Sequence, residues 1–252
     1  MATPRVLVVR NSPGSGIGRL RSWLHDEGLT VVEREGADAP GTPAGYDGIV
    51  LLGGGFLPDD DIRHPWLPRE RGLARRAVED GTPLLGICLG AQLLAAVTGG
   101  TVEGGFGSPE RGSCQVGLLP EADGDRLMRG LPSSFPVIQN HRDQITRLPE
   151  AAVRLAESDV CQVQAFRVGA RAWGVQFHPE ADAGRLARWD EAALAEEGLN
   201  RTALEAEARR AEPEAVRAAR RLTANLAAVI HDFAAVRPTA VDGRDGQGLG
   251  RR

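Results

Sequence analysis

The stretch LLGICLGAQLLAAVTGG, residues 84–100, decides the fold. Leu84–Ile87 is a short apolar run that predicts a buried strand, and Gly90–Thr98 has the pattern of a helix that ends at Gly99-Gly100. One residue, Cys88, stands at the sharp turn between the two elements. A nucleophilic side chain at a strand–turn–helix junction, with a glycine two residues away on each side, predicts a nucleophile elbow.

Alternating strand and helix patterns precede this stretch. Apolar runs predict strands at Arg5–Val9, Thr30–Glu33 and Ile49–Leu52. A helix is predicted over Arg69–Asp80, where most apolar and arginine side chains fall on opposite sides. Together with the stretch around Cys88, this β-α-β-α order predicts an α/β fold with an open, doubly wound, mostly parallel sheet.

The second half of the chain has a different pattern, in which short strands follow one another through turns. These strands are predicted at Gln115–Leu119, Pro136–Gln139, Ala152–Ala156, Gln162–Val168 and Ala172–Phe177. They indicate either an antiparallel extension of the sheet or a β-rich insertion over it. Residues 185–234 predict C-terminal helices that pack one apolar face on the domain. We therefore expect one domain over residues 1–236 and a glycine-rich, disordered tail over residues 237–252.

Composition excludes several classes of protein. The net charge of −4 gives no basic surface for nucleic acid, and all 30 basic residues are arginine. Without lysine, the chain cannot form a Schiff base or a phosphate loop with its lysine. We expect no membrane span, because no apolar run reaches about 18 residues. Met1–Arg5 shows no leader pattern, and three widely spaced cysteines do not form a disulfide framework, so we expect a cytoplasmic protein.

A second segment supplies a general base for the cysteine. In GVQFHPE, residues 174–180, a strand ends at His178, and Glu180 follows two residues later. A catalytic cysteine needs a base to take and return a proton, and that base needs a third group to fix its tautomer. Cys88, His178 and Glu180 are therefore the predicted catalytic residues. The helix N-terminus after Cys88 favours its thiolate form.

The segments GICLGAQ and GVQFHPE together resemble the two signatures of the class I (triad) glutamine amidotransferases. The chain is similar to the stand-alone members of that family that look like the amidotransferase domain of GMP synthase. The resemblance implies a flavodoxin-like fold and hydrolysis of the side-chain amide of glutamine through a cysteine thioester. It implies no cofactor. Because no synthase domain is evident in the sequence, a separate synthase subunit is the expected acceptor of the ammonia.

The same resemblance assigns further roles residue by residue. The backbone N–H groups of Gly54 and Leu89 are expected to form the oxyanion hole, although Gly55 stands where the family usually has proline. The remaining assignments concern substrate binding and fall on Gln92, Asn140, His141 and Asp143.

Two alternatives to an ammonia-supplying amidotransferase stay open on the sequence. One is a free-standing hydrolase of another γ-glutamyl amine or peptide that uses the same three residues. The other is a regulatory homologue without turnover. No metal site is predicted, because the acidic run Asp59-Asp60-Asp61 has no flanking histidine or cysteine and is interpreted as a solvated loop.

Overall fold

A computed structural model describes residues 2–14 and 16–237. The strands are β1 (Arg5–Arg10), β2 (Thr30–Glu35), β3 (Gly48–Leu51), β4 (Leu84–Ile87), β5 (Thr101–Glu103), β6 (Glu110–Leu118), β7 (Ser134–His141), β8 (Gln144–Arg147), β9 (Ala152–Glu157), β10 (Ala165–Val168) and β11 (Ala172–Val175). The α-helices are α1 (Leu20–Asp26), α2 (Leu67–Glu79), α3 (Leu89–Val97), α4 (Glu191–Glu196) and α5 (Arg201–Val236). A 3₁₀ helix over Ala183–Arg188 precedes α4.

Nine of the described strands form one sheet in the order β2-β1-β3-β4-β11-β10-β9-β6-β7. The strands β2, β1, β3, β4 and β11 are parallel to one another. From β11 onward each neighbouring pair is antiparallel. The predicted doubly wound, mostly parallel sheet is therefore confirmed, and the antiparallel strands extend that sheet.

The parallel part of the sheet is buried on both faces, as its apolar sequence predicts. In β1, Val6 and Val8 pack in the core cluster that includes Ile230 of α5, on one face. Leu7 and Val9 belong to the cluster on the other face, with Leu73 of α2. Complete burial of each such side chain contributes roughly 1.5–3 kcal/mol, so these alternating contacts fix the strand between two helical layers.

The carboxyl ends of three adjacent parallel strands meet at one edge of the sheet. Gly53 follows β3 closely, Cys88 follows β4 directly, and His178 lies three residues beyond the end of β11. The His178 N–H also donates to the Ile138 carbonyl of β7 at 2.9 Å. Because β7 is the last strand in the order of the sheet, this bond shows that the antiparallel part curls back toward β11.

The structure differs from the sequence-based prediction at several boundaries. The short strands β5 and β8 form a separate pair that was not predicted. The predicted strand over Gln162–Val168 begins only at Ala165, beside a register shift against β9. The strand predicted over Ala172–Phe177 ends at Val175. Residues 185–234 are largely helical, but they form part of the 3₁₀ helix and two separate α-helices.

Arg237 is the one residue of the predicted tail that falls within the described ranges. Arg237 is fixed by its guanidinium, which donates to the Tyr46 carbonyl at 2.7 Å and to the Asp47 carboxylate at 3.2 Å. Residues 238–252 lie outside the described residues. Within the described ranges, no helix has the length and apolar character needed to cross a membrane.

Candidate active site

Cys88 occupies a backbone conformation that side chains rarely adopt. Its φ is 53° and its ψ is −108°, and it is the only residue other than glycine with a positive φ in the described ranges. Such a conformation costs on the order of 1–3 kcal/mol and persists only where surrounding contacts enforce it. Here the Cys88 N–H donates to the Val175 carbonyl, and the Cys88 carbonyl accepts from the Gln92 N–H. The turn is thus fixed on both sides.

Close backbone contacts explain the two glycines around this turn. A Cβ atom at Gly86 would lie 2.3 Å from the Gly90 carbonyl oxygen, and one at Gly90 would lie 2.1 Å from the Leu51 carbonyl oxygen. Both distances are far below any real contact with backbone. The elbow therefore requires glycine at both positions, as the sequence pattern indicates.

The imidazole of His178 lies between Cys88 and Glu180. Its Nδ1 is 2.7 Å from Glu180 Oε1, and its ring is also hydrogen-bonded to Cys88. Since Glu180 occupies Nδ1, the other ring nitrogen, Nε2, faces the sulfur. The Glu180 side chain is 1% exposed, whereas that of His178 is 13% exposed and reaches the cleft. The structure thus brings together the three predicted catalytic side chains in the order that proton transfer needs.

This arrangement favours the charged form of the histidine. Burial is the largest single influence and lowers the pKa of His178, but the Glu180 carboxylate and the Cys88 sulfur outweigh it and raise that pKa to about 10. For Glu180, burial alone would raise the pKa, and the charge and hydrogen bond of His178 with the charge of Arg185 bring it below its usual range. At neutral pH the pair is therefore an imidazolium and a carboxylate.

Two buried amide side chains form a hydrogen-bonded chain that ends at the Cys88 sulfur. Gln176 Nε2 donates to Cys88 Sγ at 3.6 Å, and Gln176 Oε1 accepts from Gln92 Nε2 at 3.4 Å. Gln92 also donates to the Asp143 carbonyl at 3.2 Å. The Gln92 side chain, which was predicted to bind substrate, is thus buried and hydrogen-bonded to other groups of the protein in this structure. Gln176 was not assigned a role from sequence, although it lies inside the GVQFHPE segment.

The two predicted oxyanion-hole residues are neighbours. A Cβ at Gly54 would lie 2.7 Å from Leu89 Cδ2, so the glycine loop after β3 packs directly on the first residue of α3. The first N–H groups of a helix have no intrahelical partner, and the Leu89 N–H is the first of α3. The oxyanion role of Gly54 and Leu89 stays a prediction.

A cleft of about 320 Å³ opens above the sulfur. Its lining is formed by Ser12, Gly14, Gly53, Gly54, Gly55, Cys88, Asn140, His178, Arg185, Arg188 and Trp189. Asn140, one of the predicted substrate-binding residues, therefore lines the cleft, and its role stays a prediction. Arg185, Arg188 and Trp189 were missed because residues 185–234 were interpreted as packing helices. The signal that could have revealed them is Asp182, whose carboxylate accepts from the Arg185 N–H and starts a short helix.

His141 and Asp143 lie elsewhere in this structure. The His141 side chain is 1% exposed, and its Nε2 is 2.9 Å from Glu110 Oε2 on the neighbouring strand. Asp143 Oδ1 accepts from the Gly105 N–H at 2.9 Å and thereby holds a loop. Neither residue lines the cleft. For His141 the reason is that successive residues of β7 point to opposite faces of the sheet, and Asn140 takes the cleft side. Direct contact of their side chains with substrate is thus a prediction that this geometry does not support.

One buried group of possible metal ligands lies beside β7. Ligand atoms of Glu110, His141 and Cys161 are all within 4.8 Å of one another. Glu110 already accepts from Gln164 at 2.6 Å and from Ser158 at 2.9 Å. Burial, the largest influence, raises the pKa of the Cys161 thiol to about 12, so this ligand would be protonated. Glu110 is therefore fully engaged by His141, Ser158 and Gln164, whereas His141 Nδ1 is buried without a hydrogen-bond partner.

A buried carboxyl group lies behind the glycine loop. Asn11 Nδ2 donates to Glu70 at 2.9 Å and to the Leu52 carbonyl, just before the loop, at 3.3 Å. Glu70 is completely buried, and burial raises the pKa of its carboxyl to about 7. Its ionisation in the folded protein therefore takes place near neutral pH.

We expect Glu70→Gln to change how stability depends on pH. Because the folded pKa is raised, the wild-type protein should lose stability as pH rises from about 4.5 to about 7, by on the order of 3 kcal/mol. The amide cannot ionise, so the variant should lack this loss. Urea unfolding at pH 5 and pH 8 measures it, with the exposed Glu79→Gln as control. An equal loss of stability in the wild type and the Glu70 variant would contradict the prediction.

Comparison with known proteins places this geometry in a family. The family described as glutamine amidotransferase class-I matches residues 29–188. A glutamine-hydrolysing GMP synthase subunit from Thermoplasma acidophilum is 33% identical over 170 residues, which are 64% of this chain and 80% of that protein. The corresponding subunit from Archaeoglobus fulgidus is 36% identical over 135 residues, 53% of this chain and 66% of that protein. The chain thus matches just under two thirds of the latter's length.

Solved structures agree with this match. A glutamine amidotransferase from Thermotoga maritima superposes with a TM-score of 0.80 at 27% identity, covering 91% of this chain and 99% of the other. The resemblance stated from GICLGAQ and GVQFHPE is confirmed. This chain belongs to the class-I glutamine amidotransferase family.

Proposed function

We propose that this protein hydrolyses the side-chain amide of glutamine and supplies the ammonia to a separate synthase subunit. One observation carries the proposal: in an open cleft, His178 is hydrogen-bonded at once to Cys88 and to Glu180. Membership of the amidotransferase family makes glutamine the substrate to test first. Residues 1–236 form the glutaminase domain in this proposal.

The first half of the reaction forms a thioester. The Cys88 thiolate attacks the δ-carbonyl carbon of glutamine, and the carbonyl oxygen becomes an oxyanion. The N–H groups of Gly54 and Leu89 bind that oxyanion, and each such donor contributes about 3 kcal/mol in comparable sites. His178 then donates a proton to the amide nitrogen as the C–N bond breaks, which releases ammonia and leaves the glutamyl group on sulfur.

The second half returns the enzyme to its starting state. Neutral His178 takes a proton from water, and the resulting hydroxide attacks the thioester carbon. The C–S bond breaks, glutamate leaves, and the thiolate again faces an imidazolium. Glu180 stabilises the imidazolium and fixes the orientation of the ring, and it does not take the proton itself. Every step uses groups of this chain, and none needs a cofactor.

The relatives support a partner for the ammonia. Both archaeal relatives named above are called subunits of a glutamine-hydrolysing GMP synthase, a name that implies at least one further subunit. In our proposal, a synthase of this kind receives the ammonia.

Covalent labelling tests the nucleophile and the substrate pocket together. We expect a diazoketone analogue of glutamine, 6-diazo-5-oxo-L-norleucine, to add once per chain at neutral pH, and peptide mapping should place it on Cys88. The variant Cys114→Ala is the matched control, because this half-buried thiol lies outside the cleft and its pKa is raised to about 12, mainly by burial. It should label like the wild type.

Two outcomes would contradict the proposal. Labelling of Cys114 or Cys161 in place of Cys88 would show that the cleft does not select the reagent. Normal labelling of Cys88 together with turnover of a γ-glutamyl amine, but not of glutamine, would favour the alternative hydrolase left open by the sequence.

A further inference from the structure

One wall of the cleft is a short, firmly held segment, the 3₁₀ helix over Ala183–Arg188 with Trp189. The Glu212 carboxylate of α5 accepts from the Ala183 N–H at 2.7 Å and pairs with Arg19 at 2.6 Å. Trp189 packs against the apolar cluster beneath the segment, which includes Leu186. The wall therefore presents its side chains to the cleft from a fixed backbone.

The two arginines on this wall have different surroundings. Arg185 donates to the Gly14 carbonyl at 3.0 Å, and its guanidinium lies 3.7 Å from Glu180 Oε1. Arg188 lines the same cleft, is exposed, and has no hydrogen-bond or ion-pair partner within residues 2–14 and 16–237. A guanidinium without a carboxylate partner remains available to a ligand.

The charges of the cleft lining are not balanced, and one further negative charge would balance them. Among the described residues, the cleft lining contains no carboxylate side chain, and its basic groups are Arg185, Arg188 and His178. Arg185 is directed to Glu180, and His178 faces both Glu180 and Cys88. Only the charge of Arg188 stays uncompensated by these pairs.

We propose that Arg188 forms a carboxylate-binding subsite of the cleft and determines which glutamyl substrates bind. The proposal rests on the proposed function, because it takes the ligand to be a γ-glutamyl amide. The carboxylate can be the α-carboxylate of the glutamyl group or one carried by the departing amine. Guanidinium and carboxylate form two parallel hydrogen bonds, which select a planar anion over a neutral amide of the same shape.

Paired ligands distinguish the two positions of the carboxylate. L-Glutamine and L-glutaminamide differ only at the α-carboxylate, whereas γ-glutamyl-γ-aminobutyrate and γ-glutamyl-butylamine differ by the carboxylate on the amine. Binding is measured by calorimetry in the full chain carrying Cys88→Ala, where no turnover consumes the ligand. Arg188→Gln is compared with Arg210→Gln, a change of the same charge at an exposed position on α5 that does not line the cleft.

We expect Arg188→Gln to lower the preference for the carboxylate-bearing member of one pair by about tenfold to a hundredfold. Arg188→Lys should retain part of that preference, and Arg210→Gln should retain all of it. The pair affected identifies the carboxylate that Arg188 binds. Unchanged preferences in both pairs, or no binding of any of the four ligands, would overturn the subsite. Binding that depends on Arg188, combined with no glutamine turnover by the wild type, would overturn only the proposed function.

Discussion

Cys88→Ala should reduce glutamine hydrolysis by at least about 10⁴-fold, the largest loss expected of any substitution in this protein. The thiolate forms the only covalent bond to substrate in the proposed mechanism, and alanine leaves no atom that could replace it. The loss should fall on kcat, because the cleft walls that bind substrate remain. Steady-state release of ammonia and of glutamate measures it.

This prediction has a matched control, and it requires that the Cys88→Ala variant folds. Cys114→Ala removes another thiol and should keep wild-type turnover, since that side chain lies outside the cleft lining. Cys88→Ala should also fold, because alanine is smaller than cysteine and the turn is held by backbone bonds to Val175 and Gln92. Hydrolysis by Cys88→Ala at the wild-type rate would refute the nucleophile assignment.

His178→Ala should reduce turnover by about a hundredfold to ten-thousandfold, the range found for a lost general acid–base group. Both halves of the reaction need this imidazole, first as proton donor to the departing amide nitrogen and then as proton acceptor from water. Release of ammonia in the presence of saturating glutamine measures the loss of kcat.

Glu180→Gln gives a finer readout of the same group. Because the Glu180 carboxylate helps to raise the pKa of His178 to about 10, the amide should lower that pKa, and NMR titration of the imidazole measures it. The ion pair also stabilises the fold: the histidine's contribution is complete below pH 6.5 and is lost as pH rises through about 10. An unchanged His178 titration in Glu180→Gln would contradict the coupling.

The sequence was most informative where local chemistry and local structure coincide. The elbow was predictable from the residues around Cys88. A cysteine between two glycines, where an apolar run ends and a helix pattern begins, restricts the backbone conformation of the turn. The parallel sheet followed from the same alternation of patterns. The position of His178 beside Cys88 depends on chain pairing over 90 residues, and family resemblance supplied that link.

The sequence was least informative where tertiary contacts decide. Arg188 reaches the cleft only because Glu212 and the neighbouring apolar cluster hold its 3₁₀ helix in place. His141 turns inward because Glu110 lies opposite it on the adjacent strand. Strands β5 and β8 are too short for periodicity to reveal them. Asp182 marks the start of the 3₁₀ helix, but nothing in the nearest residues of the chain shows which surface that helix, His141 or the two short strands will meet.

The backbone bond from His178 to Ile138 has a consequence for self-association. An unpaired strand at the end of a sheet can recruit a strand from another molecule, and β7 is such a terminal strand. At Ile138 the acceptor is already taken by the residue that carries the reactive imidazole. An intruding strand could pair through this point only by displacing His178, so the same bond blocks strand addition at Ile138 and helps to position the residue that carries the proton donor.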